Sequence, residues 1–138
     1  MEIKAMYSDD NQPLLSALLE RHSAKKEPGI PPYDRTALSF AAYENGEYVG
    51  GVTGTIVWNM LQVQLLAVDP AYRGSGVGAV LLQTLEAKAR QQGCKVSELT
   101  TMSWQAPGFY QKQGYEIFGE IKDCPHAGHT KYYLQKQL

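Results

Sequence analysis

Cysteine is almost missing from this chain of 138 residues, with only Cys94 and Cys124 present. Two cysteines build no disulfide framework, so the fold must rest on its core, and reduced thiols point to the cytoplasm. A dominant charge is missing as well. Lys and Arg number 13 against 14 Asp and Glu, a net charge of -1, which gives no basic stripe for nucleic acid or an anionic membrane. No apolar run is long enough to span a bilayer, and Met1 to Met6 has no cleavable apolar core. Internal repeats, linkers and low-complexity tracts are lacking too. A chain of this length can bury its core without staples, so the expectation is a single domain over residues 1–138.

What is present reads as alternating strand and helix signals. Ile3 to Tyr7 alternates and predicts a first strand; Ser8-Asp9-Asp10-Asn11 offers caps to a helix carrying Leu14, Leu15, Leu18 and Leu19. Pro28, Gly29, Pro31 and Pro32 break the next segment into a loop. Ala37 to Tyr43, a hairpin turn at Asn45-Gly46, Tyr48 to Trp58 and Leu61 to Val68 predict an antiparallel meander. Within it, Gly50, Gly51 and Gly54 weaken the second strand or admit a bulge. Val77, Val80, Leu81, Thr84, Leu85 and Lys88 keep helical spacing up to Gly93, and Lys95 to Met102 follows as a strand parallel to Leu61 to Val68. A short helix at Ala106 to Gln113 and strands at Tyr115 to Ile121 and Thr130 to Leu134 complete an α/β chain of α+β layout, with a mixed sheet of six or seven strands.

The turn between the meander and the long helix is the chemical centre of the chain. Gly74, Gly76 and Gly78 strip side chains from a helix N-terminus, whose first N–H groups have no intrahelical acceptor, and Arg73 adds a full positive charge. Together these make an anion cradle. A nucleoside-triphosphate loop would end in Gly-Lys-Ser/Thr, whereas Ala79 and Val80 follow Gly78 here. Gly74-x-Gly76-x-x-Ala79, with Glu98 further on, formally satisfies a dinucleotide fingerprint. However, Asp69 to Arg73 separates the strand from the first glycine, and the flanking chain leaves no room for a doubly wound domain.

Arg73-x-x-Gly76-x-Gly78, preceded by Leu66-Ala67-Val68-Asp69-Pro70, resembles the acetyl-CoA signature of the GNAT superfamily of N-acetyltransferases. The likeness extends to Ala106-Pro107-Gly108-Phe109-Tyr110-Gln111-Lys112-Gln113-Gly114-Tyr115, similar to the family's Ala-x-x-Phe-Tyr-x-x-x-Gly-Phe segment with Tyr115 in place of Phe. It implies a mainly antiparallel sheet splayed between its fourth and fifth strands, with acetyl-CoA as cosubstrate. Leu66, Ala67 and Val68 would then lie along the pantetheine arm, and Arg73, Gly74, Ser75, Gly76, Val77 and Gly78 would hold the pyrophosphate. The backbone N–H near Val68 would face the thioester oxygen. Tyr110 falls where the family's tyrosine protonates the leaving thiolate, while Phe109 reads as packing. Ser103 stands where the family often has an Asn on the cofactor arm, with Gln105 close by.

The resemblance therefore implies direct acetyl transfer to a primary amine, with no acyl-enzyme and a homodimer allowed; a small-molecule amine is preferred to a protein one because the chain carries no added protein-recognition domain. A non-catalytic acyl-CoA sensor on the same fold and a protein N-acetyltransferase are the rivals. The general base stays open among Glu98, Glu44, His126, His129 and ordered water. Cys124, His126 and His129 sit within six residues, but no partner element supplies a fourth ligand, so no metal is expected.

Overall fold

The computed structural model describes all 138 residues, in two compact units, Met1–Asp34 and Arg35–Leu138. The first unit holds one helix, α1 (Ser8–Lys26), with Asp9 and Asp10 in its first turn and Lys25 and Lys26 in its last, as the helix dipole favours. Leu14, Leu15, Leu18 and Leu19 are exposed along it. Two expectations fail in this unit. Ile3 to Tyr7 is not a strand, because five alternating residues form one only when a ladder takes up their backbone groups, and none does. The expected side-chain cap is absent too: Ser8 is already the first helical residue, so Tyr7 occupies the cap position without a side-chain hydrogen bond. No helix is long and apolar enough to cross a membrane.

The second unit carries a six-stranded sheet. Its strands are β1 (Arg35–Glu44), β2 (Glu47–Val57), β3 (Met60–Val68), β4 (Val96–Met102), β5 (Glu116–Lys122) and β6 (Thr130–Gln137), in the order β1-β2-β3-β4-β6-β5. The Asn-Gly signal is borne out, with Asn45 and Gly46 both at positive φ (48° and 81°) in the β1–β2 hairpin. Thr53 pairs with Leu65 but Gly54 with Val63, so Gln64 is an extra residue that bulges β3. Helices α2 (Val77–Gln91) and α3 (Pro107–Lys112) follow β3 and β4. The splay falls between the third and fourth observed strands, one fewer than the expected numbering because Ile3 to Tyr7 does not count.

The core is aliphatic, and α2 supplies much of it. Leu82 and Leu85 of α2, Leu61 of β3 and Leu134 of β6 are all completely buried. Their packing needs Gly54: a Cβ there would meet the Gln62 carbonyl oxygen at 3.0 Å and the Leu61 and Leu85 methyls at 3.1 Å. Glycine thus lets α2 settle on β2.

One polar network crosses this core. Glu86 of α2 is 1% exposed and accepts hydrogen bonds from the Tyr115 hydroxyl (2.8 Å) and the Lys136 ammonium (2.9 and 3.2 Å). Since the single Tyr115 proton goes to Glu86, the same hydroxyl accepts from the buried Ser97 at 2.8 Å. Burial, above all, drives the Tyr115 phenol far above its ordinary range, with Ser97 opposing and Glu86 adding to the rise. The phenol therefore works as a neutral donor. Removing the cation alone leaves a buried carboxylate without its counter-charge. Lys136→Met should cost about 3–5 kcal/mol, whereas the double change Glu86→Leu/Lys136→Met should cost clearly less, as read from urea denaturation midpoints.

Candidate active site

The site begins with a fork in the sheet. β3 and β4 pair in parallel only at Met60–Val96, Leu61–Ser97 and Gln62–Glu98. Beyond that point β3 stays with β2 as far as Gly50–Val68, and β4 stays with β6 as far as Met102–Lys131. Two intact half-sheets therefore part from a short seam. The Asp69 N–H donates to the Val49 carbonyl, so strand alternation turns the Val68 N–H the other way, into the fork.

A cleft of about 790 Å³ occupies the opening, within the size range of small-molecule sites. Leu66, Ala67, Val68, Arg73, Gly74, Gly76, Val77, Gly78 and Tyr110 all line it, so nine of the residues singled out from sequence meet at one surface. Asp69 shapes the entry. Its carboxylate accepts from the Ala71 N–H at 2.8 Å and starts a single 3-10 turn, Pro70–Tyr72, that delivers Arg73 to the rim. The Arg73 Nε–H reaches the Val68 carbonyl at 3.3 Å, which leaves the terminal guanidinium nitrogens for a ligand.

Gly76 holds the cap position of α2 at φ 87°, with no side chain capping the helix. The first-turn N–H groups therefore point out of the helix with the positive end of its dipole. Ser75, by contrast, donates its hydroxyl to the Tyr72 carbonyl and is not on the cleft wall.

The floor comes from α3. Pro107 starts it, and Phe109 then packs where a Cβ on Gly78 would lie 3.5 Å from its ring, close also to Val68. That contact brings the glycine turn and the Phe109-Tyr110 segment together. The Tyr110 ring sits edge-on to Phe109 and Tyr115, at 5.1 and 6.0 Å between centroids. Desolvation raises the Tyr110 phenol above its ordinary range. A phenol so placed keeps its proton at neutral pH and can donate it.

The other candidates are scattered around this centre. Ser103 accepts from the Thr130 N–H at 3.1 Å and lies 3.3 Å from the His129 Nδ1, turned toward the β5–β6 turn and off the cleft wall. Gln105 does line the cleft, its side-chain oxygen capping the end of β4 by accepting from the Met102 N–H at 2.9 Å. Glu98 stands at the closed end of the fork and accepts from the Gln62 side-chain amide at 3.0 Å. Glu44 ends β1 at the hairpin. The rings of His126 and His129 meet in a T-shaped arrangement at 4.8 Å in the β5–β6 turn, and no three His, Cys, Asp or Glu side chains converge as metal ligands. Burial pushes the Cys94 thiol up, which makes it a poor nucleophile. Gln64, Thr100 and Trp104 line the cleft without having been singled out. Only the aromatic immediately after β4 carried a usable signal.

An uncapped helix N-terminus beside Arg73 and an open strand edge share one cleft, an arrangement that can hold an extended, phosphate-bearing molecule. The chain belongs to the acetyltransferase (GNAT) family, whose model matches residues 3–115. It is 39% identical over 132 residues to a blasticidin-S acetyltransferase of Streptomyces morookaense, covering 95% of this chain and 93% of that protein. Its fold superposes on an acetyltransferase from Bacillus cereus ATCC 14579 with a TM-score of 0.85 at 27% identity, covering 100% of this chain and 98% of the other. An aminoglycoside 6'-N-acetyltransferase solved with coenzyme A shares the fold at a TM-score of 0.67 and 17% identity, over 99% of this chain and 97% of that one. The protein is an acetyltransferase.

Gly76 supplies a conformational test of the cradle. A Cβ there meets nothing within 4 Å, so the left-handed backbone is the only obstacle to substitution. Gly76→Ala should cost about 1–2 kcal/mol in thermal or urea unfolding, and Gly76→Asn distinctly less.

Proposed function

We propose that this protein transfers the acetyl group of acetyl-CoA to a primary amine of a small molecule by direct attack in a ternary complex. The observation that carries the reading is the convergence of the uncapped α2 N-terminus, Arg73, the unpaired edge of β3 and the Tyr110 hydroxyl on one cleft. The family match runs from residue 3 to 115, through most of the first compact unit and into the second, which supports reading residues 1–138 as one N-acetyltransferase domain. The relative named for blasticidin S, matched over nearly its whole length, favours a small-molecule acceptor over a protein amine. Two free cysteines suit the cytoplasm.

In this reading the pyrophosphate rests on the N–H groups that follow Gly76, against Arg73, and the pantetheine arm runs along Leu66, Ala67 and Val68. The neutral amine adds to the thioester carbonyl, and the oxygen takes up negative charge beside the Val68 N–H, where a fixed donor is most effective. Collapse breaks the C–S bond. The leaving thiolate takes the Tyr110 proton, the ammonium proton passes to solvent to leave the neutral acetylated amide, and the Tyr110 phenolate regains a proton from solvent before the next turnover. Tyr110 is suited to the donor role by its place on the cleft wall, where its phenol stays neutral until a thiolate develops beside it.

Arg73→Ala should shrink the rise in melting temperature that acetyl-CoA produces, by weakening a specific ligand whose binding stabilises the native state. Tyr110→Phe should leave that rise intact and lower kcat by about 100-fold, the lower end of what a positioned proton donor contributes. Undiminished turnover in Tyr110→Phe would remove Tyr110 from the reaction. Binding of acetyl-CoA with no thiol release across a broad amine panel would favour the sensor reading.

A further inference from the structure

Among the cleft residues, Trp104 is the one large aromatic whose surface is mostly in solvent, at 54% exposure. It stands just past the end of β4, on the wall opposite the strand edge of β3. Its indole does not hang free. His129 meets it edge-on with 4.9 Å between centroids, and His126 meets His129 in the same way at 4.8 Å.

The inner histidine is fixed in turn. Its Nδ1 lies 3.3 Å from the Ser103 hydroxyl, which itself accepts from the Thr130 N–H. The turn that carries both histidines is closed by the Cys124 N–H on the His129 carbonyl, the His129 N–H on the His126 carbonyl, and the Gly128 N–H on the Asp123 carboxylate. A flat, half-solvated indole, held in T-shaped contact with an anchored ring, is pre-organised to receive a second flat ring on its solvent side.

We propose that Trp104 is the acceptor-binding wall of the cleft and that the preferred amine carries a planar aromatic or heteroaromatic ring. The inference rests on the transfer reaction proposed above. Position argues against the cofactor as the occupant. The anion cradle and the open edge of β3 lie on one side of the fork, while Trp104, Ser103 and the β5–β6 turn belong to the other half-sheet. Chemistry argues for planarity. Aliphatic surface would be served as well by Leu65, which also lines the cleft, whereas a stacked ring gains a further contribution only on an aromatic partner. His129 is then a positioning residue.

The test compares two amines of matched carbon skeleton, the planar benzylamine and the puckered cyclohexylmethylamine, on a Trp58→Phe background in which Trp104 is the one remaining tryptophan. With saturating coenzyme A present, benzylamine should change Trp104 emission at a concentration roughly three- to tenfold lower than cyclohexylmethylamine. His129→Ala should narrow that gap, and His129→Phe, which keeps an edge-on ring, should restore it. In turnover, Trp104→Ala should raise the KM for benzylamine to that for cyclohexylmethylamine and leave the KM for acetyl-CoA unchanged.

Equal affinity for the two amines would overturn the proposal. So would a Trp104→Ala variant that loses acetyl-CoA affinity but keeps its ring discrimination, since the indole would then cover the cofactor arm. Ring discrimination in binding without transfer to either amine would instead overturn the reaction proposed above and leave the assignment of Trp104 standing.

Discussion

The buried carboxylate of Glu86 is the interaction on which the working geometry depends. α2 packs against β1, β2 and β3, on one side of the fork. Through Glu86 it holds Lys136 of β6 and the Tyr115 hydroxyl, which belong to the other side. The backbone seam between the half-sheets is only three residue pairs long, so it cannot by itself set how far they open. Leu99 and Leu134 packed against Leu82 and Leu85 supply cohesion without direction. The charged and hydrogen-bonded contacts supply the direction. Tyr115 sits 6.0 Å from the Tyr110 ring, so the same network that joins the halves braces the floor of the cleft.

Seen this way, the site is a product of competing pairings. β3 could continue along β4 only by bringing the half-sheets together, but the Gln64 bulge twists it away while β6 holds β4. The gap is then flanked by a helix N-terminus, because the chain leaving β3 must turn back over the sheet as α2. Gly54 matters to this indirectly. By allowing α2 to approach β2, it seats the helix whose first turn faces the cleft.

Local chemistry was legible from the sequence, and its distant partners were not. Asn45-Gly46, Gly76 and Pro107 each impose a backbone geometry whatever surrounds them, and each stands where its residue type demands. The meeting of Phe109 with Gly78 could be anticipated because two motifs of one family were in view. Tyr115 could be read only as a substitute for phenylalanine, since its partners Ser97, Glu86 and Lys136 are 18, 29 and 21 positions away, the last in ring contact. Ser103 was read toward the cofactor, whereas its hydroxyl answers a turn 26 residues downstream. Ile3 to Tyr7 shows the converse error, since alternation without a neighbouring strand has nothing to form against.

The fork has one more consequence. Most open sheets have two outer edges, and here these are β1 and β5. This sheet has another pair facing inward, where β3 runs on from Val63 to Val68 without a neighbour on its β4 side. Apart from the Val68 carbonyl, which accepts from Arg73, peptide groups there must be satisfied by water or by a guest. An extended chain with amides of its own can take the place of the missing strand, exchanging hydrated backbone for a ladder. The unfinished sheet is in that sense half of a template, and the molecule that completes it need not be a protein.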